Sequence, residues 1–330
     1  TAIYVNASHD GGFTWLPAHV LDESILPAGT VDWSWVVADP VRNATAYVGW
    51  MRAEFDLVSM SLTSMDMMMS RTTDNGLTWS SAIRIGDAPH GYFWSPTRLI
   101  ALPDGALLNI FGENPACTYF DKANPCPPSV TRVFASRSED QGNTWSTPVL
   151  LAVIPPNSID EETARMGERD ANPPALAPDG TVFFGWAETA SDRSSRYMLT
   201  SSSDGGRTWQ APAPVLSSAS PIMNANLAAG PKGKLGLLFY RFAEGRHADP
   251  AFVNVWLASA TEPYHGRSWQ ETQVGGPFDP RTLPKAVDLG GYQGIVAIPN
   301  GFALAFTMSQ PAAQFGASDI FFTKVISSRQ

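Results

Sequence analysis

Ser138-Glu-Asp140-Gln-Gly142-Asn-Thr144-Trp145 is one of four copies of a single phrase in this chain. The others are Ser8-His-Asp10-Gly-Gly12-Phe-Thr14-Trp15, Thr72-Thr-Asp74-Asn-Gly76-Leu-Thr78-Trp79 and Ser202-Ser-Asp204-Gly-Gly206-Arg-Thr208-Trp209. A fifth stretch, Tyr264-His-Gly266-Arg-Ser268-Trp269, keeps the Gly and Trp without the Asp. The five tryptophans lie 64, 66, 64 and 60 residues apart. Self-similarity at a fixed period is the signature of a repeat architecture, so the chain is read as one supersecondary unit used over and over.

The phrase itself describes a turn. An Asp carboxylate and a Ser or Thr hydroxyl bond nearby backbone groups, and the Gly supplies a left-handed conformation. The Trp is expected to pack between neighbouring sheets. Asp10, Asp74, Asp140 and Asp204 are therefore read as fold residues, not as acids or metal ligands.

Between the phrases a second pattern recurs, an apolar run, a tight turn and another apolar run. It appears at Trp33–Pro40 with Ala46–Trp50, at Thr97–Gly105 with Leu107–Phe111, and at Ala175–Gly180 with Val182–Trp186. It returns at Ala228–Gly233 with Leu235–Tyr240, and at Ile295–Gly301 with Phe302–Phe306. Pro-Asp-Gly and Pro-Asn-Gly favour tight turns, and nearly all-apolar strands are buried on both faces. These hairpins are strands A and B of each repeat; a strand C precedes each phrase and a strand D follows it.

Four copies in register resemble the Asp-box, or BNR repeat, of the sialidase-like β-propellers. The resemblance implies an all-β fold, a single β-propeller of four-stranded antiparallel blades spanning 1–330 as one domain. Five hairpins favour five blades; six is the alternative, since sialidases are six-bladed. Ala2–Ala7 and Ile320–Ile326 both read as strand C, which leaves one strand over.

Composition sets the outer limits. No apolar run approaches the ~20 residues of a membrane helix. A net charge of −9 offers no basic footprint, so neither nucleic acid nor an anionic membrane is an expected partner. The two cysteines, Cys117 and Cys126, sit in a Pro-rich stretch with too few neighbours for zinc, and a local disulfide is the better reading. With the sequons Asn6-Ala-Ser8 and Asn43-Ala-Thr45 they point to a secreted protein, and Thr1 reads as a trimmed start. A monomer is expected.

In a propeller the D–A and B–C connections share one face, and here they are the long ones, where function usually sits. Glu113 and Glu188 are placed just past the ends of B strands at matching positions, with Arg52 and Arg241 at the same phase in two other repeats. Asp170, Glu188 and Glu113 are the expected catalytic carboxylates, with Asp170 and Glu188 the first choice as an acid/base pair. Tyr292 and His90 are further catalytic candidates. Arg98, Arg241, Arg52, Arg169, Trp33, Trp94, Tyr92, Asn224 and Gln293 would bind substrate. Six of these, Arg98, Glu113, Asp170, Glu188, Arg241 and Tyr292, are expected to converge on a central funnel.

Paired carboxylates, arginines and aromatic platforms make a carbohydrate site. Sialidases add a triad of arginines and a Tyr/Glu nucleophile pair with an Asp acid/base. By resemblance Arg98, Arg165, Arg169 and Arg241 would supply the arginines and Tyr292 the tyrosine. The 14 residues ahead of Trp15 contain no Arg-Ile-Pro segment of the sialidase kind. The expected function is a secreted glycoside hydrolase or polysaccharide lyase acting on a glycan. A lyase would use His90, Tyr92 or Tyr292 as base; a lectin-like propeller without turnover is the alternative. No cofactor is expected, and no ordered oxygen-ligand loop marks a metal site, although Ca²⁺ is the cation that an acidic channel would hold.

Overall fold

The computed structural model describes residues 1–58, 62–86, 92–115, 130–156, 166, 173–243, 252–263, 269–284, 289–290, 293–310 and 316–326, with the backbone alone at 92–97 and 115. The chain divides into two compact units, Thr1–Pro156 with Asp204–Thr208, and Asn157–Ser203 with Trp209–Gln330.

The first unit begins with β1 (Ala2–Val5) and β2 (His19–Glu23), an antiparallel pair that forms a sheet of its own. Next comes a four-stranded meander of β3 (Gly29–Ala38), β4 (Ala46–Phe55), β5 (Leu62–Thr72) and β6 (Ile83–Arg84). A second meander follows, of β7 (Tyr92–Ala101), β8 (Leu107–Pro115), β9 (Thr131–Ser138) and β10 (Val149–Ile154). Tyr47, Met67 and Met69 pack with Leu99, Leu107 and Phe111 in one core cluster; Ile3, Val31, Val48 and Trp50 form another.

The second unit holds β11 (Ala175–Leu176), β12 (Val182–Thr189), β13 (Ser195–Ser202) and β14 (Ala213–Ser218) in one sheet. A second sheet is made of β15 (Met223–Ala229), β16 (Leu235–Phe242), β17 (Val253–Ala260) and β18 (Gln270–Phe278). The last sheet has three strands, β19 (Gly294–Ile298), β20 (Gly301–Ser309) and β21 (Ser318–Ile326). The two candidates for a surplus strand C thus part company. β21 is the third strand of the last sheet, whereas β1 pairs with β2 outside any A–B hairpin.

The repeated phrases fold as hydrogen-bonded turns. Asp74 accepts the Thr78 backbone N–H at 2.9 Å and the Thr78 hydroxyl at 2.5 Å, while the Thr72 hydroxyl donates to it at 2.7 Å. That same hydroxyl accepts the Gly76 N–H at 2.9 Å. Asp10 and Asp140 repeat the arrangement with Ser8 and Ser138, and Asp204 accepts both donors of Thr208. The Thr hydroxyls foremost pull Asp10, Asp74 and Asp140 down to about 2. One expectation fails at the first copy. Trp15 is 63% exposed, whereas Trp79, Trp145 and Trp269 pack on core clusters. Trp15 and Trp145 alike donate the indole N–H to the Gly carbonyl three residues back, so that bond does not decide the packing.

The A–B turns also follow their sequence. In Leu102-Pro-Asp-Gly105 the Gly105 N–H closes on the Leu102 carbonyl at 2.9 Å, and Asp104 caps the Ala106 N–H at 3.1 Å. Ala177-Pro-Asp-Gly180 repeats both bonds at 2.9 Å each, the cap there being Asp179 on Thr181. Gly105 and Gly180 take φ of 83° and 87°, the values that require Gly here.

Strand limits differ from the sequence expectation at the other end of the hairpins. Arg52, Glu113, Glu188 and Arg241 lie inside β4, β8, β12 and β16, not past their ends. The ladder continues through them because each strand C offers a partner in register and charged side chains can pair along the sheet.

Candidate functional site

One register position organises the charged residues of both units. It lies two residues beyond a buried aromatic of strand B: Arg52 after Trp50, Glu113 after Phe111, Glu188 after Trp186 and Arg241 after Phe239. Side chains two apart on a strand share a face. Across the ladder these four face Asp66, Arg132, Arg196 and Asn254. Asp66, Arg132 and Arg196 each stand eight residues before the Asp of the following turn, Asp74, Asp140 and Asp204. The charges are exchanged as a pair in the β3–β6 sheet, Arg on B and Asp on C, relative to the next two four-stranded sheets.

In the first unit Arg52 pairs with Asp22 of β2 and reaches Glu54 at 3.3 Å. The Trp50 indole donates to the other oxygen of Asp22 at 2.8 Å. Asp66 instead pairs with Arg84 at 3.2 Å. Glu113 is only 4% exposed and is ion-paired to Arg132 without an aligned hydrogen bond at Oε1. Trp94 and Tyr92 lie opposite Glu113 and Pro115 in the backbone register, and Arg98 is half-buried on β7.

Strand A of this unit carries a bulge at the same end. Asp32 faces Met51 and Trp35 faces Gly49, so that Trp33 and Ser34 together oppose Trp50. Between Ser95 and Arg98 of β7 the register slips by the same step, opposite Phe111. Bulges of this kind re-aim side chains and are frequent beside active sites.

In the second unit both oxygens of Glu188 are engaged. Trp186 Nε1 donates to Oε1 at 3.0 Å and Arg196 Nε to Oε2 at 2.7 Å. Arg241 is turned along its own sheet, paired with Glu271 at 2.8 Å, with its guanidinium 4.4 Å from the centre of the Trp256 ring. Asn224 sits in a bulge of β15 and is 4% exposed. Its amide donates to the carbonyls of Met166 and of Gly290, the latter at 3.0 Å. Gln293 accepts from Asn226 at 3.1 Å. Tyr240 is pushed up to about 12, foremost by burial, against a hydrogen bond from Gln293 that works the other way.

Of the sequence candidates, then, the structure links Asn224 and Gln293 through Asn226. It gives Arg52, Glu113, Glu188 and Arg241 partners within their own units. His90, Arg165, Arg169, Asp170, Tyr292, Cys117 and Cys126 lie outside the described residues. The partners Asp22, Arg132, Arg196 and Glu271 were not anticipated. For Arg132 and Arg196 the signal was present, a fixed offset from the turn that follows. Among the described residues no group of three or more His, Cys, Asp or Glu could hold a metal ion, and no helix is long and apolar enough to cross a membrane.

No protein-family model and no curated protein sequence matches the chain. Solved structures do. A Hadza microbial sialidase superposes with a TM-score of 0.56 at 17% identity, over 98% of this chain and 59% of that one. The Penicillium chrysogenum α-L-arabinanase, solved with arabinobiose, gives 0.55 at 13% identity over 99% of this chain and 86% of its own. The Trypanosoma rangeli sialidase gives 0.55 at 12% identity over 98% of this chain and 51% of its own. The fold is the β-propeller of the sialidases and arabinanases. The meanders are its blades. This chain spans little more than half the length of the two sialidases and most of the arabinanase. Its neighbours in fold are glycosidases.

Proposed function

We propose that this propeller is a secreted, monomeric carbohydrate-active enzyme that hydrolyses a glycosidic bond. The observation that carries the reading is the placement of Glu113 and Glu188. Each is a largely buried carboxylate at the same step of its blade, and each has an arginine facing it across the ladder. Glycoside hydrolysis asks for carboxyl groups held in defined positions, one to protonate the leaving oxygen and one to act as base or nucleophile. Glu113, Glu188 and Asp170 are the candidates for those roles, with Tyr292 as the sialidase-like alternative nucleophile. The partly exposed arginines beside them, Arg132 and Arg196, suit the hydroxyls of a sugar. A fold shared with glycosidases supports the reaction class, and arabinobiose bound by the Penicillium enzyme suggests a first substrate to try.

The test is turnover on arabino-oligosaccharides, sialosides and uronate polysaccharides, read as new reducing ends. Glu113→Gln or Glu188→Gln should lower the rate at least about a hundredfold, the low end for loss of general acid–base catalysis. Unsaturated, ultraviolet-absorbing ends would replace hydrolysis with elimination. Full turnover in both variants would remove these carboxylates from the mechanism.

A further inference from the structure

Trp33 has a backbone conformation that a tryptophan should avoid. Its φ is 53°, in the left-handed region where a bulky side chain is a genuine outlier. It occupies the first bulge position of β3, opposite Trp50, a place that Gly ordinarily fills in bulges of this type. The second unit provides a control. Asn224 stands at the equivalent step of β15, opposite Phe239, with φ of 47°. Asn is among the few residues that visit that region routinely, and buried Asn224 also ties down the carbonyls of two distant residues, Met166 and Gly290. The same bulge is therefore built cheaply with Asn in one unit and with a strained Trp in the other. Strain of this sort clusters at ligand sites, and the inference runs from the outlier to a use for the side chain.

The surroundings say what use. Trp33 is 37% exposed, and Asp32 and Ser34 on either side of it are exposed as well. Asp32 Oδ1 accepts the Trp33 N–H at 2.6 Å, which fixes the bulge and the indole that it carries. An exposed indole with an exposed carboxylate and hydroxyl as its chain neighbours fits a ring whose faces are apolar and whose rim is hydroxylated. A nucleic acid base would also stack, but a carboxylate at the contact and a net charge of −9 oppose a polyanion.

Resting on the hydrolase reading above, we infer that Asp32, Trp33 and Ser34 form a saccharide subsite. In it the Trp33 indole stacks on a neutral sugar ring, and Asp32 and Ser34 take the hydroxyls of that ring.

The experiment pairs thermal unfolding with calorimetric titration of arabinobiose and arabinotriose. Trp33→Gly and Trp33→Asn relieve the backbone, so their melting temperatures should equal or exceed that of the parent. Affinity should fall roughly tenfold or more, as for loss of a buried aromatic anchor, and Trp33→Phe should recover part of it. Asp32→Asn should weaken binding while keeping an acceptor at the bulge. If Trp33→Gly binds as well as the parent, the subsite is wrong and the hydrolase reading stands. A lowered melting temperature with unchanged affinity would make Trp33 a packing residue. If the unaltered protein binds neither sugar, and no member of the wider glycan panel either, the hydrolase reading fails and this subsite with it.

Discussion

Trp186 Nε1 donates to Glu188 Oε1 at 3.0 Å, from a side chain only 2% exposed. The two residues are two apart on β12 and share a face, so the bond runs along the strand. Arg196, opposite Glu188 on β13, takes the second oxygen. The carboxylate thereby joins a buried indole N–H to an exposed guanidinium, and any role that it has in chemistry is superposed on that clasp.

Removing the carboxylate should therefore cost stability. Glu188→Ala leaves the buried Trp186 N–H without its acceptor, at about 1–3 kcal/mol. Glu188→Gln keeps an acceptor for the indole and loses only the charge on Arg196, which is more than half exposed, so the loss should be under about 1 kcal/mol. Chemical denaturation of the two variants beside turnover separates the clasp from catalysis. Full stability in Glu188→Ala would show that the clasp contributes nothing.

Acid should weaken the turns in a defined window. Asp10, Asp74 and Asp140 have folded-state values of about 2 against an ordinary 3.8. A carboxyl depressed on folding stabilises the native state above its unfolded value and loses that contribution as pH falls through the folded one. Melting temperature should thus fall between about pH 4 and about pH 2. Asp74→Asn should melt lower at neutral pH and show a shallower acid decline, while the folded protein keeps its specific activity. A fully stable Asp74 variant without turnover would overturn the structural reading of these residues.

How much of this was legible follows from where the information lies. The four turn phrases and the Pro-Asp-Gly hairpins announce themselves because a turn needs particular residues at fixed offsets, and a repeat multiplies that signal. Strand ends were placed too early at Arg52, Glu113, Glu188 and Arg241 because a charged residue in a strand reads as a loop until its partner is known. Those partners come from other strands, at separations that vary with the B–C connection: Arg132 is 19 residues beyond Glu113, and Arg196 only 8 beyond Glu188. The bulge at Trp33 was illegible for a related reason. A left-handed tryptophan is not a choice that local propensity would make, and only the ladder slip against Trp50 exposes it.

Two glycines of the second unit separate steric need from mere presence. A Cβ on Gly185 would lie 2.6 Å from Cε1 of Tyr197, whose ring is fully buried. Gly185→Ala should cost about 1–3 kcal/mol, as overpacking does. At Gly294 the nearest atom is the Ala305 Cβ at 3.8 Å, an ordinary contact, with no left-handed φ. Gly294→Ala should be neutral or stabilising by up to about 1 kcal/mol through the unfolded chain. Equal effects at the two sites would mean that the Tyr197 ring yields to the added methyl without cost.

Arg241 poses the sharpest choice between binding and structure. Its side chain is 10% exposed, paired with Glu271 and stacked on Trp256, and Glu271 is itself 28% exposed. A guanidinium so placed has its charge answered and its flat face covered, within a single blade. Lysine would keep the charge but neither the fork nor the stacking, so Arg241→Lys should lose about 1–2 kcal/mol of stability and Arg241→Ala somewhat more. In a double-mutant cycle with Glu271→Gln the coupling should reach about 1 kcal/mol, well above the error for independent sites. Affinity of the folded Arg241→Lys protein for arabino-oligosaccharides should then stay within about threefold of the parent, less than the loss of a binding hot spot. Unchanged stability with binding abolished would return Arg241 to the substrate-binding role that the sequence suggested, and would require the Glu271 pair to open when sugar arrives.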